Sequence, residues 1–307
     1  MSHTNKKGKG RGWLFWYIPL LLAEFAWFIA LLLRHKNIAI VNPKGVIAHQ
    51  QLGLLIFTTI VLCVAAIPTV LFLYFTAWKY RESNTKVSRY SNKPSKHHSK
   101  RFLYGIWGFP TIVMLVLLVT LYPATHRLEP RKAVASNNKP MTIQVVSMRW
   151  KWVFLYPEQK IATVNFVQIP ANTPVQFELT ADEAPMSSFW IPNIAGQLYS
   201  MTGHVNRLNV QADTVGDYTG SSAEINGPGF AGMKFTTRVS SAEDFASWTE
   251  GVKQYPQILN TKTYENLVKP SEDNPAAFYS SYQNDLYETV VNKYAGAHAG
   301  HMHEDYQ

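Results

Sequence analysis

Between Gly220 and Met233 the chain reads GSSAEINGPGFAGM. It can be set against the frame C-x-E-x-C-G-x-x-H-x-x-M, in which two thiolates, an imidazole and a thioether would close around copper. The glutamate, glycine and methionine then stand at Glu224, Gly227 and Met233. Ser222, Asn226 and Phe230 occupy the places of the two cysteines and the histidine. Soft sulfur ligands are what hold a mixed-valence copper pair, so the loop keeps the frame of a metal site and lacks its donors. Cys63 is the single cysteine of the chain, which excludes a disulfide framework and any two-thiolate metal site within it. His298, His301 and His303 lie in a Gly/Ala/His-rich C-terminus and read as a solvated tail.

The elements that would position this loop follow from how charge and apolarity are distributed. Of 307 residues, 1–123 carry 15 Lys+Arg against 2 Asp+Glu, and 124–307 carry 14 against 18. The basic residues flank apolar runs as topology signals do, instead of forming an aromatic-interleaved patch on a folded domain, and this argues against a nucleic-acid partner. The first run, Trp13–Leu33, follows Lys6, Lys7, Lys9 and Arg11 and is long enough to cross a bilayer. It reads as a retained signal anchor or a secretory signal; no small-x-small cleavage site precedes Arg34–Lys36, which favours the anchor. Gln51–Ala77 is free of formal charge, with Pro68 as a kink, and Trp78 and Tyr80 mark its interface. The segment 78–101 is strongly basic and belongs in the cytoplasm. A third run, Phe102–Pro123, then returns the chain to the outer face. With no intramembrane charge pair, a transporter or channel is not indicated, and Glu24 reads as a packing or interface residue.

Residues 124–139 read as a linker. Beyond it, short alternating or β-branched runs at Met141–Ser147, Trp150–Tyr156, Ile161–Ile169, Val175–Leu179, His204–Ala212 and Met233–Val239 predict a β-sandwich or barrel. Trp150 and Trp152 are expected to be structural. Ser240-x-x-Glu243 has the form of a capping box and predicts a helix start. Further short helices are expected around Thr263–Val268 and Ala276–Lys293, rich in aromatics and too small for a core of their own. The expected organisation is therefore 1–50 as a tail, first helix and connection, 51–123 as a transmembrane hairpin, 124–139 as the linker, 140–239 as the β domain, 240–293 as a helical aromatic-rich arm, and 294–307 as a disordered tail.

Several tracts carry a resemblance. They are Asn42-Pro43-Lys44-Gly45, Ala77-Trp78-Lys79-Tyr80-Arg81, His126-Arg127-Leu128-Glu129-Pro130, the run Val145–Asn165, Pro170–Val175, Ser187–Met201 and Asn226–Phe235. Together they resemble subunit II of the haem–copper terminal oxidases, in the quinol oxidase branch of the cytochrome bo type, over nearly all of Asn42–Lys293. The resemblance implies a membrane-anchored, mainly β protein: a helix hairpin with an extra N-terminal helix, a cupredoxin-like β-barrel on the outer face of the bacterial inner membrane, and an aromatic-rich arm. It places the copper branch's ligand positions at Ser187, Ser222, Asn226 and Phe230, all replaced here, with Glu224 and Met233 retained, so that no metal, cofactor or catalytic residue is expected in this chain. The implied partners are subunit I, which would carry haem and copper, further small oxidase subunits, membrane lipid, and quinol through the complex, which would reduce oxygen to water and translocate protons. The chain departs from the pattern twice. Lys36 stands where a lipidated cysteine is common, and Leu103 stands where a glutamate associated with proton entry is common. The competing readings are a membrane-tethered cupredoxin-like interaction module without an oxidase partner and a cytochrome c oxidase subunit II.

Overall fold

The computed structural model describes residues 24, 27, 28, 38–81, 100–134, 136 and 138–299. The first apolar run, apart from Glu24, Trp27 and Phe28, and the basic segment 82–99 lie outside the described residues, as do Lys36 and the last residues of the chain. The described chain divides into two units: one holds most of the two apolar helices, and the other combines Ala39–Gly53 with everything from His126 onward.

Helix α1 (Val46–Lys79) and helix α2 (Lys100–Arg127) are both apolar and long enough to cross a membrane. Their large side chains are exposed along the whole length, among them Leu71, Phe72, Val119 and Tyr122, as expected of surfaces made for lipid or partner helices. Threonines in both helices, such as Thr59 and Thr111, return their hydroxyl hydrogen to a carbonyl four residues back, so these hydroxyls are satisfied within their own helix. Leu103 is half-exposed on α2, and Cys63 is exposed on α1.

The β domain packs two sheets face to face. With strands β1 (Met141–Met148), β2 (Lys151–Tyr156), β3 (Ile161–Val164), β4 (Phe166–Pro170), β5 (Pro174–Ala181), β6 (Ser187–Trp190), β7 (Leu198–Ser200), β8 (Asn206–Gln211), β9 (Gly216–Ser222), β10 (Lys234–Ser240) and β11 (Ala277–Tyr279), the sheets run β11-β3-β2-β1-β5-β8 and β4-β10-β9-β6-β7. β1 and β5 are parallel, as are β4 and β10; the other pairs are antiparallel. Aromatics fill the space between the sheets. Phe189 stacks on Phe235 at 5.0 Å, and Trp152 meets both edge-on, at 5.3 and 5.8 Å.

One continuous expected strand, Ile161–Ile169, is two strands in different sheets. Asn165 sits between them at φ 51, a left-handed conformation that asparagine tolerates. Its Oδ1 accepts from Trp152 N–H at 2.8 Å, and its Nδ2 donates to Asn274 O at 2.8 Å, so one side chain fixes the crossing.

Strand β2 is buried along its whole length, and alternation explains why. Trp152, Phe154 and Tyr156 face the other sheet, while Val153 and Leu155 face Leu259, Tyr264, Val268, Tyr279, Leu286, Tyr287 and Val290 of the arm. The arm comprises α3 (Ala242–Lys253), α4 (Thr261–Val268), β11 and α5 (Leu286–Ala299). The cap of α3 is Ser241, whose Oγ accepts from Asp244 N–H at 3.0 Å; Ser240 is still paired in β10, which moves the start one residue beyond the Ser240–Glu243 signal. The helix expected over Ala276–Lys293 is instead the strand β11, added to the free edge of β3, followed by α5. Phe278 is drawn to that edge, where its ring meets Phe166 at 5.3 Å. Helix α5 continues to Ala299, into the segment expected to be a disordered tail.

Candidate functional site

Strands β6 and β9 and the start of β10 bring Ser187, Ser222 and Met233, three of the positions singled out from the sequence, to one place. Ser187 opens β6, Ser222 closes β9, and Met233 leads into β10; all three are buried. Asn226 directs its amide nitrogen between them, donating to Ser187 Oγ at 2.8 Å and toward Met233 Sδ at 3.1 Å. Ser222 Oγ accepts from Ser188 N–H at 3.4 Å and donates to Glu224 O at 3.0 Å. Two hydroxyls, one carboxamide and one thioether thus form a hydrogen-bonded knot that joins two strands to the loop. Glu224 enters it through its backbone carbonyl. Phe230 lies in the 3-10 turn Pro228–Gly232, with its N–H donating to Gly227 O at 3.1 Å and its carbonyl accepting from Met233 N–H at 3.1 Å.

The loop is shaped by an indole. Trp150, in the two-residue turn between β1 and β2, sits at φ 63, where a bulky side chain is uncommon. Its ring covers the loop so closely that a Cβ on Gly229 would fall 2.4 Å from the ring, and one on Gly227, at φ 126, would fall 3.2 Å away. Glycine at 229 is therefore demanded by Trp150, and glycine at 227 by its backbone angle, whether or not a metal is present. Trp152, also expected to be structural, is fully buried in the core. Gly220 has a like cause: Phe235 lies where its side chain would be.

The donors that meet here do not fit a mixed-valence copper pair, because none is a thiolate or an imidazole. Among the described residues, no three His, Cys, Asp or Glu side chains gather elsewhere into a group able to hold a metal ion.

A second polar centre lies where the arm meets the sandwich, and no sequence signal pointed to it. Asp182, 1% exposed, accepts from Tyr264 Oη at 2.8 Å, Tyr294 Oη at 2.7 Å and Lys293 Nζ at 2.9 Å, all three from the arm. Burial, and then the Asp182 charge, push the Tyr264 phenol well above its ordinary value. Burial and the hydrogen bond to Asp182 raise Tyr294 likewise. For Lys293 partial desolvation pulls downward, but hydrogen bonds to Glu183 and Asp182 outweigh it and leave the ammonium group raised. Beside this centre Lys151, 1% exposed on β2, donates to Leu267 O at 2.7 Å and Lys269 O at 2.8 Å at the end of α4. Burial lowers its pKa.

The described chain thus combines two helices long and apolar enough to cross a membrane, a two-sheet β domain and an aromatic-rich arm. Residues 253–298, which begin at the end of α3 and span α4, β11 and α5, match the COX Aromatic Rich Motif family. The chain is 40% identical to cytochrome bo(3) ubiquinol oxidase subunit 2 of Pseudomonas putida over 288 residues, which is 94% of this chain and 90% of that protein. It is 39% identical to ubiquinol oxidase subunit 2 of Acetobacter aceti, covering 86% of this chain and 85% of that protein. Among solved structures, the periplasmic domain of subunit II of cytochrome oxidase (CoxB) of Bradyrhizobium japonicum aligns at 20% identity and a TM-score of 0.36, covering 39% of this chain and 96% of that one. The chain belongs to the quinol oxidase subunit 2 family.

Proposed function

We propose that this chain is the non-metal subunit II of a terminal quinol oxidase, a complex that oxidises quinol, reduces oxygen to water and translocates protons. The observation that carries the reading is the pairing of near-full-length relatedness to ubiquinol oxidase subunits with a loop whose donors cannot hold copper. In this reading electrons pass from membrane quinol directly to haem and copper on subunit I. Ser187, Ser222, Asn226 and Phe230 are positions from which copper ligands have been lost, and Glu224 and Met233 are those retained. The β domain and arm stand on the outer, periplasmic face of the inner membrane. They contribute assembly and cover to subunit I, alongside further small subunits and lipid. The basic residues flanking the apolar runs support that orientation.

The test is to purify the complex through this chain and measure oxygen consumption with quinol and with reduced cytochrome c as donors. Quinol-driven turnover, with haem co-purifying, is the expected result. Oxidation of cytochrome c without oxidation of quinol would overturn the proposal.

A further inference from the structure

The Asn42-Pro43-Lys44-Gly45 tract plays no part in the loop described above, yet it is bound densely to the β domain. Lys44 N–H donates to Asn193 O at 2.6 Å, and Lys44 O accepts from Asp213 N–H at 3.0 Å. Gly45 forms an isolated antiparallel bridge with Ala212. Asn193 Nδ2 donates to Asn42 O at 3.0 Å and to Ala39 O at 3.5 Å, and Ala48 N–H donates to Ile194 O at 3.3 Å. His49 Nε2 stands 3.1 Å from Asp213 Oδ2. Ala48, in the first turn of α1, is 6% exposed, whereas the rest of that helix is largely open. The space at Gly45 is closed by backbone: a Cβ there would lie 2.6 Å from Ile194 O and 2.9 Å from Gln211 O. Main-chain atoms cannot swing aside as a flexible side chain can, so no larger residue fits without displacing the seat.

We infer that residues 39–53 form a strap that belongs to the outer domain, seated in a cleft made by Asn193–Gly196 and the end of β8, and that only this chain's own strap completes that cleft. Without it the carbonyls of Asn193 and Ile194 and the N–H of Asp213 exchange these partners for water and lose the net stabilisation that each intramolecular bond contributes. Asn42 and Asn193 are 151 residues apart in sequence. The strap is therefore made long before its seat, and it docks when the sandwich has folded. Contacts this distant are closed late, because loop entropy must be overcome before they contribute. Docking of the strap is then the step by which the folded outer domain becomes fixed to the segment that leads into its own first described span.

The experiment is amide hydrogen exchange on the full chain in its purified complex. Gly45→Val is compared with Gly53→Val, whose added Cβ would meet nothing within 4 Å. Gly45→Val is expected to speed exchange of the Lys44, Ala48 and Asp213 amides by about tenfold or more, with Gly53→Val like wild type. Wild-type exchange at those three amides in Gly45→Val would overturn the inference, as would equal loss in both variants. Should Gly45→Val fail to accumulate, Asn193→Ala decides. It removes only the side-chain bonds to Ala39 and Asn42, and it should speed exchange at Lys44 by about threefold while β1 and β2 stay protected. No change at Lys44 would overturn the inference.

Discussion

Asn226 is the residue on which the loop turns. Its amide nitrogen donates to Ser187 Oγ and toward Met233 Sδ, so a carboxamide links one strand end to the methionine that closes the loop. Hydrogen bonds of this kind contribute about 1 kcal/mol each. Asn226→Ala should therefore lower the stability of the β domain by about 1–2 kcal/mol, read as a shift in the denaturant midpoint. Asn226→Asp tests the direction of the bonds, since a carboxylate keeps the shape but has no hydrogen for the thioether; it should be no better than alanine. An Asp variant as stable as wild type would show that the amide donors do not matter. A second prediction concerns the proposal that four of these positions once carried copper ligands. Cys at Ser222 and Asn226 with His at Ser187 and Phe230 should restore copper binding, seen as copper per chain and a thiolate-to-copper absorption band. A folded fourfold variant that takes up no copper would count against reading these positions as former ligands.

At the scale of elements, the arm is held by an apolar face and a polar latch. Val153 and Leu155 of β2 supply the first; Asp182 supplies the second, with Lys151 capping α4 nearby. Asp182→Ala would strip one buried acceptor from three donors and should cost about 3 kcal/mol. The loss would be read as faster exchange in α4 and α5 with the inter-sheet core unchanged. The arm's attachment also carries a pH dependence. Tyr264 and Tyr294 of the latch, and Tyr287 of the apolar face, have raised pKa values in the folded state, so their contribution is complete below the ordinary phenol value and is lost as pH rises above about 10. Raised Lys293 acts in the same direction. Lys151 is lowered and opposes them over its own window, but it is one group against four. The arm should therefore release in alkali, with tyrosinate absorbance appearing in a cooperative step that Tyr264→Phe makes shallower. Non-cooperative ionisation of all tyrosines near the free value would contradict the latch.

At the scale of the whole molecule, legibility followed the strength of periodicity and charge. The two apolar helices and β1, β2, β5, β8 and β10 were visible because their apolar residues are dense or alternate. β9, with the sequence GDYTGSS, was not, because its buried positions are filled by glycine and serine under Phe235. β11 carries no strand signal of its own, because an edge-added strand takes its stability from a partner remote in sequence. The loop frame is legible by spacing, while Asp182 and the strap are not, since both depend on partners remote in sequence: Asp182 on residues 82 to 112 positions away and Asn42 on one 151 away. These separate devices have separate consequences for turnover. If electrons bypass the outer domain, disturbing the loop should leave chemistry alone, whereas disturbing the latch should reduce how much complex assembles. The prediction compares Asn226→Ala with Asp182→Ala in the purified oxidase, each measured as haem recovered per chain and as quinol oxidation per haem. Asn226→Ala should hold both near wild type. Asp182→Ala should lower the haem recovered while each assembled complex turns over normally. A fall of about tenfold in quinol oxidation per haem, equivalent to about 1.4 kcal/mol on the barrier, in an intact Asn226→Ala complex would place the loop on the path of the electrons and refute the bypass.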